Sequence, residues 1–134
     1  MRIGFACGVF DLFHAGHVLM LEECKKHCDY LIIALNMAEK FSADINPGKS
    51  APIYSYEDRK MILLSCRWVD EVIGYKSEDE LLAILSSRPF NIRFLGMDYV
   101  NRPITGDFLK IPIHYIDRSH GKSTSQIRKG IKNG

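Results

Sequence analysis

Two histidines set three apart among glycines, in GVFDLFHAGH at residues 8–17, are the first feature of this chain suited to chemistry. A pair at that spacing can ligate zinc, pack inertly, or donate hydrogen bonds to an anion. A catalytic zinc centre usually takes about three protein ligands. His14 and His17 supply two, and beyond Asp11 or Cys7 no further ligand cluster joins them. The glycines favour the anion. Gly8 lets a ligand approach the backbone, and Gly16 leaves room in the first turn of a helix. A helix N-terminus carries unpaired N–H groups and partial positive charge that attract phosphate. Two imidazoles three residues apart project from one face of such a turn.

Two further loops carry anion-binding side chains. Lys49 lies in NPGKSAP, where it can close over a ligand. The last connection reads DRSHGKSTSQIRKG, with Arg118 and Gly121 ahead of the hydroxyls of Ser123, Thr124 and Ser125. Ser123 with Gln126 forms a capping-box pattern, so a second helix start joins hydroxyl donors to an arginine. Arg59 and Arg67 stand on and just beyond another helix, and by themselves they read as a solvated basic face.

The elements that must position these residues alternate along the chain. Arg2 to Cys7 reads as a strand, and Ala15 to Cys28 as a helix with Val18, Leu21 and Cys24 at helical spacing. YLIIAL, residues 30–35, is a continuous apolar run typical of a strand covered on both faces. A long loop follows. Ser55 then caps a helix, Val69 to Ile73 is a strand, and Ser77 with Glu80 opens a helix to about Ser87. Asn91 to Leu95 and Ile111 to Ile116 are strands, and Ser123 opens the last helix. Alternation of this kind predicts an α/β fold: a Rossmann-like, doubly wound, mostly parallel five-stranded sheet with helices on both faces. Ligands of such sheets bind at the carboxyl ends of the strands, and the loops singled out above fall there.

Bulk properties narrow the field. The 134 residues suit a single domain, 1–134. A formal charge of +2 is too small to argue for nucleic acid or a membrane surface, and no apolar run approaches the roughly 18 residues of a membrane span. MRIGFACGVF reads as a strand rather than a signal peptide. The four cysteines lack CxxC spacing. Cys24 and Cys28, one turn apart beside His27, raise a metal reading. They read instead as small buried hydrophobes, so no metal ligand is assigned and a reducing cytoplasm is expected.

GVFDLFHAGH matches the GxFDxxHxGH signature of the small nucleotidyltransferases, and RSHGKSTSQI resembles the RTxGxSTT/S-I signature of their cytidylyltransferase branch. Between them, YSYEDRKMILLSCRWVDEVI and the GMDY turn are similar to the corresponding stretches of the glycerol-3-phosphate cytidylyltransferases. The resemblance spans nearly the whole chain in the right order. It implies transfer of CMP from CTP to a small phosphorylated alcohol, with Mg2+ and as a homodimer. His14 and His17 would then stabilise the phosphates during transfer. Gly8, Val9, Phe10, Asp11 and Gly16 would line the nucleotide, and Gly96 and Asp98 would help hold the nucleoside. Lys49 would be a phosphate clamp, and Arg59 and Arg67 would bind triphosphate or acceptor phosphate. Arg118, Ser123, Thr124 and Ser125 would hold the β- and γ-phosphates.

Some positions depart from that pattern. His120 and Lys122 stand where the glycerol enzymes have Glu and Ile, and Met97 replaces an acidic residue. Acceptors such as choline phosphate, ethanolamine phosphate or another phosphorylated surface-polymer precursor stay open. An adenylyltransferase on the same scaffold and a non-catalytic nucleotide-binding module are the alternatives.

Overall fold

The computed structural model describes residues 1–39 and 51–117. Within them lie strands β1 (Ile3–Gly8), β2 (Tyr30–Asn36), β3 (Glu71–Tyr75), β4 (Ile92–Gly96) and β5 (Ile113–Ile116). Three helices alternate with the first four strands: α1 (Ala15–Lys26), α2 (Tyr56–Ser65) and α3 (Glu78–Ser87). The strands form one sheet in the order β3-β2-β1-β4-β5. Every ladder in it is parallel. The expected Rossmann-like α/β architecture is therefore present, with all five described strands parallel.

The apolar run in β2 explains the layering. Leu31, Ile33 and Leu35 share a core with Leu21 and Cys24 of α1 and Leu63 of α2. Ile32 and Ala34 point the other way and pack with Leu81 and Leu85 of α3. Period-two alternation thus feeds both faces of the sheet, and helices cover both. Local chemistry starts the helices. Ser55 Oγ accepts from Asp58 N at 3.1 Å and Ser77 Oγ from Glu80 N at 3.2 Å. The acidic first turns of α2 and α3 complement their dipoles.

Two strands start two residues later than the sequence reading. β3 starts at Glu71 instead of Val69. Val69 N donates to Cys66 O at 3.1 Å, which folds the approach into a turn. The Asp70 carboxylate accepts from Leu31 N at 2.7 Å and also bonds Lys25, closing that turn onto β2 and α1. β5 starts at Ile113 instead of Ile111. Pro112 has no N–H to give the ladder, and Lys110 sits at φ 56° just before it. Two single 3-10 turns, Met97–Tyr99 and Asp107–Leu109, follow β4 and carry no periodic signal in sequence. The last helix, opened at Ser123, lies outside the described residues. Among the described residues no helix is long and apolar enough to cross a membrane.

Parallel strands bring their carboxyl ends, Gly8, Asn36, Tyr75, Gly96 and Ile116, to one edge. β1 pairs with β2 from Ile3 through Gly8, but with β4 only at Gly4–Ile92 and Phe5–Arg93. Beyond those pairs β1 and β4 run on without further pairing. The crevice opens there, where the strand order reverses.

Candidate active site

After Gly8 the chain turns through residues 9–13 into α1. Phe10 and Leu12 both sit in the left-handed region, at φ 51° and 47°. That conformation costs a non-glycine residue roughly 1–2 kcal/mol, so the surroundings must enforce it. Both side chains are buried. Asp11, also buried, accepts from Ile53 N at 2.7 Å and from Tyr54 N at 2.9 Å. Arg59 donates to Val9 O at 2.9 Å. Phe10 and Asp11, expected to line a nucleotide, therefore build the loop from within, because the left-handed turn drives their side chains inward. Of the stretch 9–12, only Val9 is exposed.

The histidines are the cap of α1. His14 is the N-cap, and its Nδ1 accepts from Gly16 N at 3.0 Å. His17, three residues on, accepts from His14 N through its own Nδ1 at 3.1 Å. Imidazoles thus fill both places of a capping box usually held by Ser or Thr and Glu or Gln. An Nδ1 that accepts an N–H is unprotonated, so each neutral ring carries its proton on Nε2 and presents a donor there. The ring centroids lie 4.0 Å apart. Phe13 stacks on His17 at 5.2 Å and 12°, and Phe10 flanks it at 5.7 Å. Spacing foretold the pair. The stacking of Phe13 was missed, although its separation of four from His17 is a helical-neighbour signal.

The N–H groups of Gly16 and His17 already bond His14, through its Nδ1 and its carbonyl respectively. With Nδ1 engaged in the cap, Nε2–H is the donor position of each ring, and the cap fixes the orientation of both rings. With Nδ1 of both rings used in the cap, neither ring offers Nδ1 to a metal.

Arg59 corrects the sequence reading. It is fully buried. Its Nε donates to Tyr54 O at 3.1 Å, Nη1 to Val9 O at 2.9 Å and Asn36 O at 2.7 Å, and Nη2 to Ala38 O at 2.5 Å. Burial pulls its pKa down, with Asp11 and Glu39 opposing. Four main-chain carbonyls occupy the fork, which joins the loop after β1, the end of β2 and the approach to α2. Arg59 is thus a positioning residue rather than a phosphate ligand.

Arg67 is not brought to the crevice. α2 returns from the carboxyl edge toward the start of β3, and its 10 residues span about 15 Å. Arg67 follows it at the opposite edge, exposed, with its guanidinium 5.6 Å from the centre of the Trp68 ring. Gly96 ends β4, and Asp98 stands exposed in the turn after it, on the crevice's second wall. Gly16 is buried in the first turn of α1. Lys49, Arg118, Ser123, Thr124 and Ser125 lie outside the described residues.

Among the described residues, the donor set at this edge does not form a cage for Mg2+, which prefers several oxygen ligands in octahedral array. Asp11 spends its carboxylate on backbone N–H groups. Among the described residues, the only trio of ligand-bearing side chains close enough to share an ion lies elsewhere.

A parallel α/β sheet with two histidines capping the helix at its switch point places the chain in the Rossmann-like class. Comparison with known proteins narrows the class: the cytidylyltransferase-like family model matches residues 5–130, and the chain belongs to that family. It is 35% identical to the glycerol-3-phosphate cytidylyltransferase of Bacillus subtilis, covering 92% of each chain. It is 36% identical to the bifunctional protein HldE of Granulibacter bethesdensis over 98% of its own length, but spans only 27% of that larger protein. Among solved structures, a lipopolysaccharide core biosynthesis protein of Thermoplasma volcanium superposes with a TM-score of 0.64 at 27% identity. That match covers 87% of this chain and 95% of the other.

Proposed function

We propose that the chain transfers CMP from CTP to a small phosphorylated alcohol, glycerol-3-phosphate first among acceptors, giving a CDP-alcohol and pyrophosphate. The observation that carries this reading is the reciprocal imidazole cap of α1, which fixes both rings at the switch-point edge with Nε2 as the donor position. Family membership and the match to a glycerol-3-phosphate cytidylyltransferase along nearly the whole chain support it.

In the proposed step an acceptor phosphate oxygen forms a bond to the α-phosphorus of CTP while the bond from that phosphorus to the β-bridging oxygen breaks. A phosphate monoester carries about −1.5 to −2 charges at neutral pH, so no proton has to be removed from the nucleophile. The barrier comes from bringing two anions together and from charge gathering on the departing pyrophosphate. Position and electrostatics lower it, without a general base. His14 and His17 donate to the phosphoryl oxygens. Arg59 and Asp11 hold the loop that aims them, and Gly96 and Asp98 flank the nucleoside. Lys49 closes on the phosphates, and Arg118, Ser123, Thr124 and Ser125 receive the β- and γ-phosphates, as the family resemblance implies. Magnesium arrives as part of the substrate, bound to the CTP phosphates.

The enzyme is further proposed to work in the cytoplasm, in keeping with its four free cysteines, and as a homodimer. Exposed Met61 and Leu64 on α2 supply apolar surface for a second copy. Sedimentation should give twice the chain mass.

The deciding experiment measures pyrophosphate release with CTP and with ATP across a panel of phosphorylated alcohols. Turnover with CTP and glycerol-3-phosphate is expected. Turnover with ATP alone would make the chain an adenylyltransferase, and tight CTP binding without turnover would make it a nucleotide-binding module.

A further inference from the structure

The far end of α1 gathers a second group of side chains that the transfer reaction does not use. Glu23 lies in the last turns of α1, His27 caps its C-terminus, and His114 comes from β5, 87 positions later. Glu23 Oε1 lies 3.2 Å from His27 Nε2 and 3.6 Å from His114 Nε2. The two imidazole rings face each other with centroids 4.0 Å apart, and Phe94 walls both at 6.4 and 6.0 Å. One donor atom from each residue falls within 4.8 Å of the other two.

These separations also suit a metal ion. With bonds of about 2.0–2.1 Å, neighbouring ligands of a tetrahedral ion stand about 3.3–3.4 Å apart, and 3.2 and 3.6 Å bracket that value. Two imidazoles converging on one carboxylate oxygen would repel each other if both were protonated. A single divalent ion satisfies all three at once. Lys26, the competing cation, lies 3.8 Å from the other oxygen, Oε2, and its side chain is 63% exposed, so it leaves Oε1 to the rings. The three donor side chains are 40%, 37% and 32% exposed, which gives an ion a route in.

We propose that Glu23, His27 and His114 bind a zinc-class divalent transition ion, leaving one coordination position for water, and thereby fasten the end of α1 to the edge strand β5. Imidazole donors select such ions over magnesium, which favours oxygen. α1 is 12 residues long, about 18 Å, so this site is separate from the His14–His17 pair at its other end.

The test uses the full chain, stripped with a chelator and titrated with Zn2+ by calorimetry and with Co2+ by visible absorption. One equivalent is expected to bind, to raise the melting temperature, and to resist excess Mg2+. His114→Ala should abolish binding and Glu23→Gln should weaken it by at least about tenfold, while a His14→Ala/His17→Ala double variant retains it. Glu23 is on the surface, so its variant decides the matter if His114→Ala folds poorly. Absence of binding, survival in both Glu23→Gln and His114→Ala, or loss in the double variant would overturn the proposal. Thiolate-to-cobalt charge-transfer bands would overturn it too, by handing the ion to the cysteines. None of these readouts depends on transferase activity.

Discussion

Replacing Arg59 with methionine removes the guanidinium but keeps an unbranched apolar stem of similar reach, so it separates a backbone staple from a phosphate ligand. Four main-chain carbonyls lose their donor: Val9, Asn36, Ala38 and Tyr54. Hydrogen bonds to a charged group contribute about 1.5–3 kcal/mol each when taken singly. A sum of roughly 6–12 kcal/mol overstates the loss, because the variant no longer has to bury a charge and the freed loops reach water. Removing one side of a buried charged arrangement typically costs about 3–5 kcal/mol, and that is the expected destabilisation. For a domain of this size it corresponds to a fall in Tm of about 10–20 °C. Arg59→Lys retains the charge without the planar fork and should lose roughly half as much. Urea denaturation gives the stability, and calorimetry with CTP gives the affinity of the folded fraction. A phosphate-binding arginine would behave oppositely. If Arg59→Met melts within a few degrees of the parent while CTP affinity drops tenfold, the staple assignment is wrong.

His14→Ser keeps a good N-cap, so stability should stay within about 0.5 kcal/mol, while kcat for pyrophosphate release should fall by about 10²–10³-fold. A drop in activity that merely tracks lost folded protein would make the histidines structural only. His17→Ala should lower kcat far more than CTP affinity, and equal losses would indicate simple ground-state binding. The hydrogen bond from Arg88 depresses the pKa of Glu71 below its ordinary 4.5. Its stabilising contribution is therefore complete above that value and disappears as the pH falls through the lower folded one. Glu71→Gln should accordingly narrow the gap between urea midpoints at pH 6 and pH 3, and an unchanged gap would rule the pair out as a contributor.

Local features were legible in the sequence. Alternating strand and helix patterns, the Ser55 and Ser77 caps and the apolar run of β2 all emerge in the fold, because each rests on neighbours within a few residues. The HxGH spacing located the start of α1 for the same reason. Tertiary structure decided where side chains point once distant segments meet. Arg59 and Arg67 look alike in sequence, yet one is swallowed by three loops and the other is left at the opposite edge by the run of α2. Asp11 turns inward to amides 42 and 43 positions away. His114 reaches Glu23 and His27 only because β5 is laid beside β4 at the sheet's edge. No short-range pattern encodes such meetings, since the register between strands is set by packing of the whole core. The family signature in residues 8–17 was legible from their types and spacing. The fact that the same two imidazoles also cap the helix they serve became visible only when the chain folded.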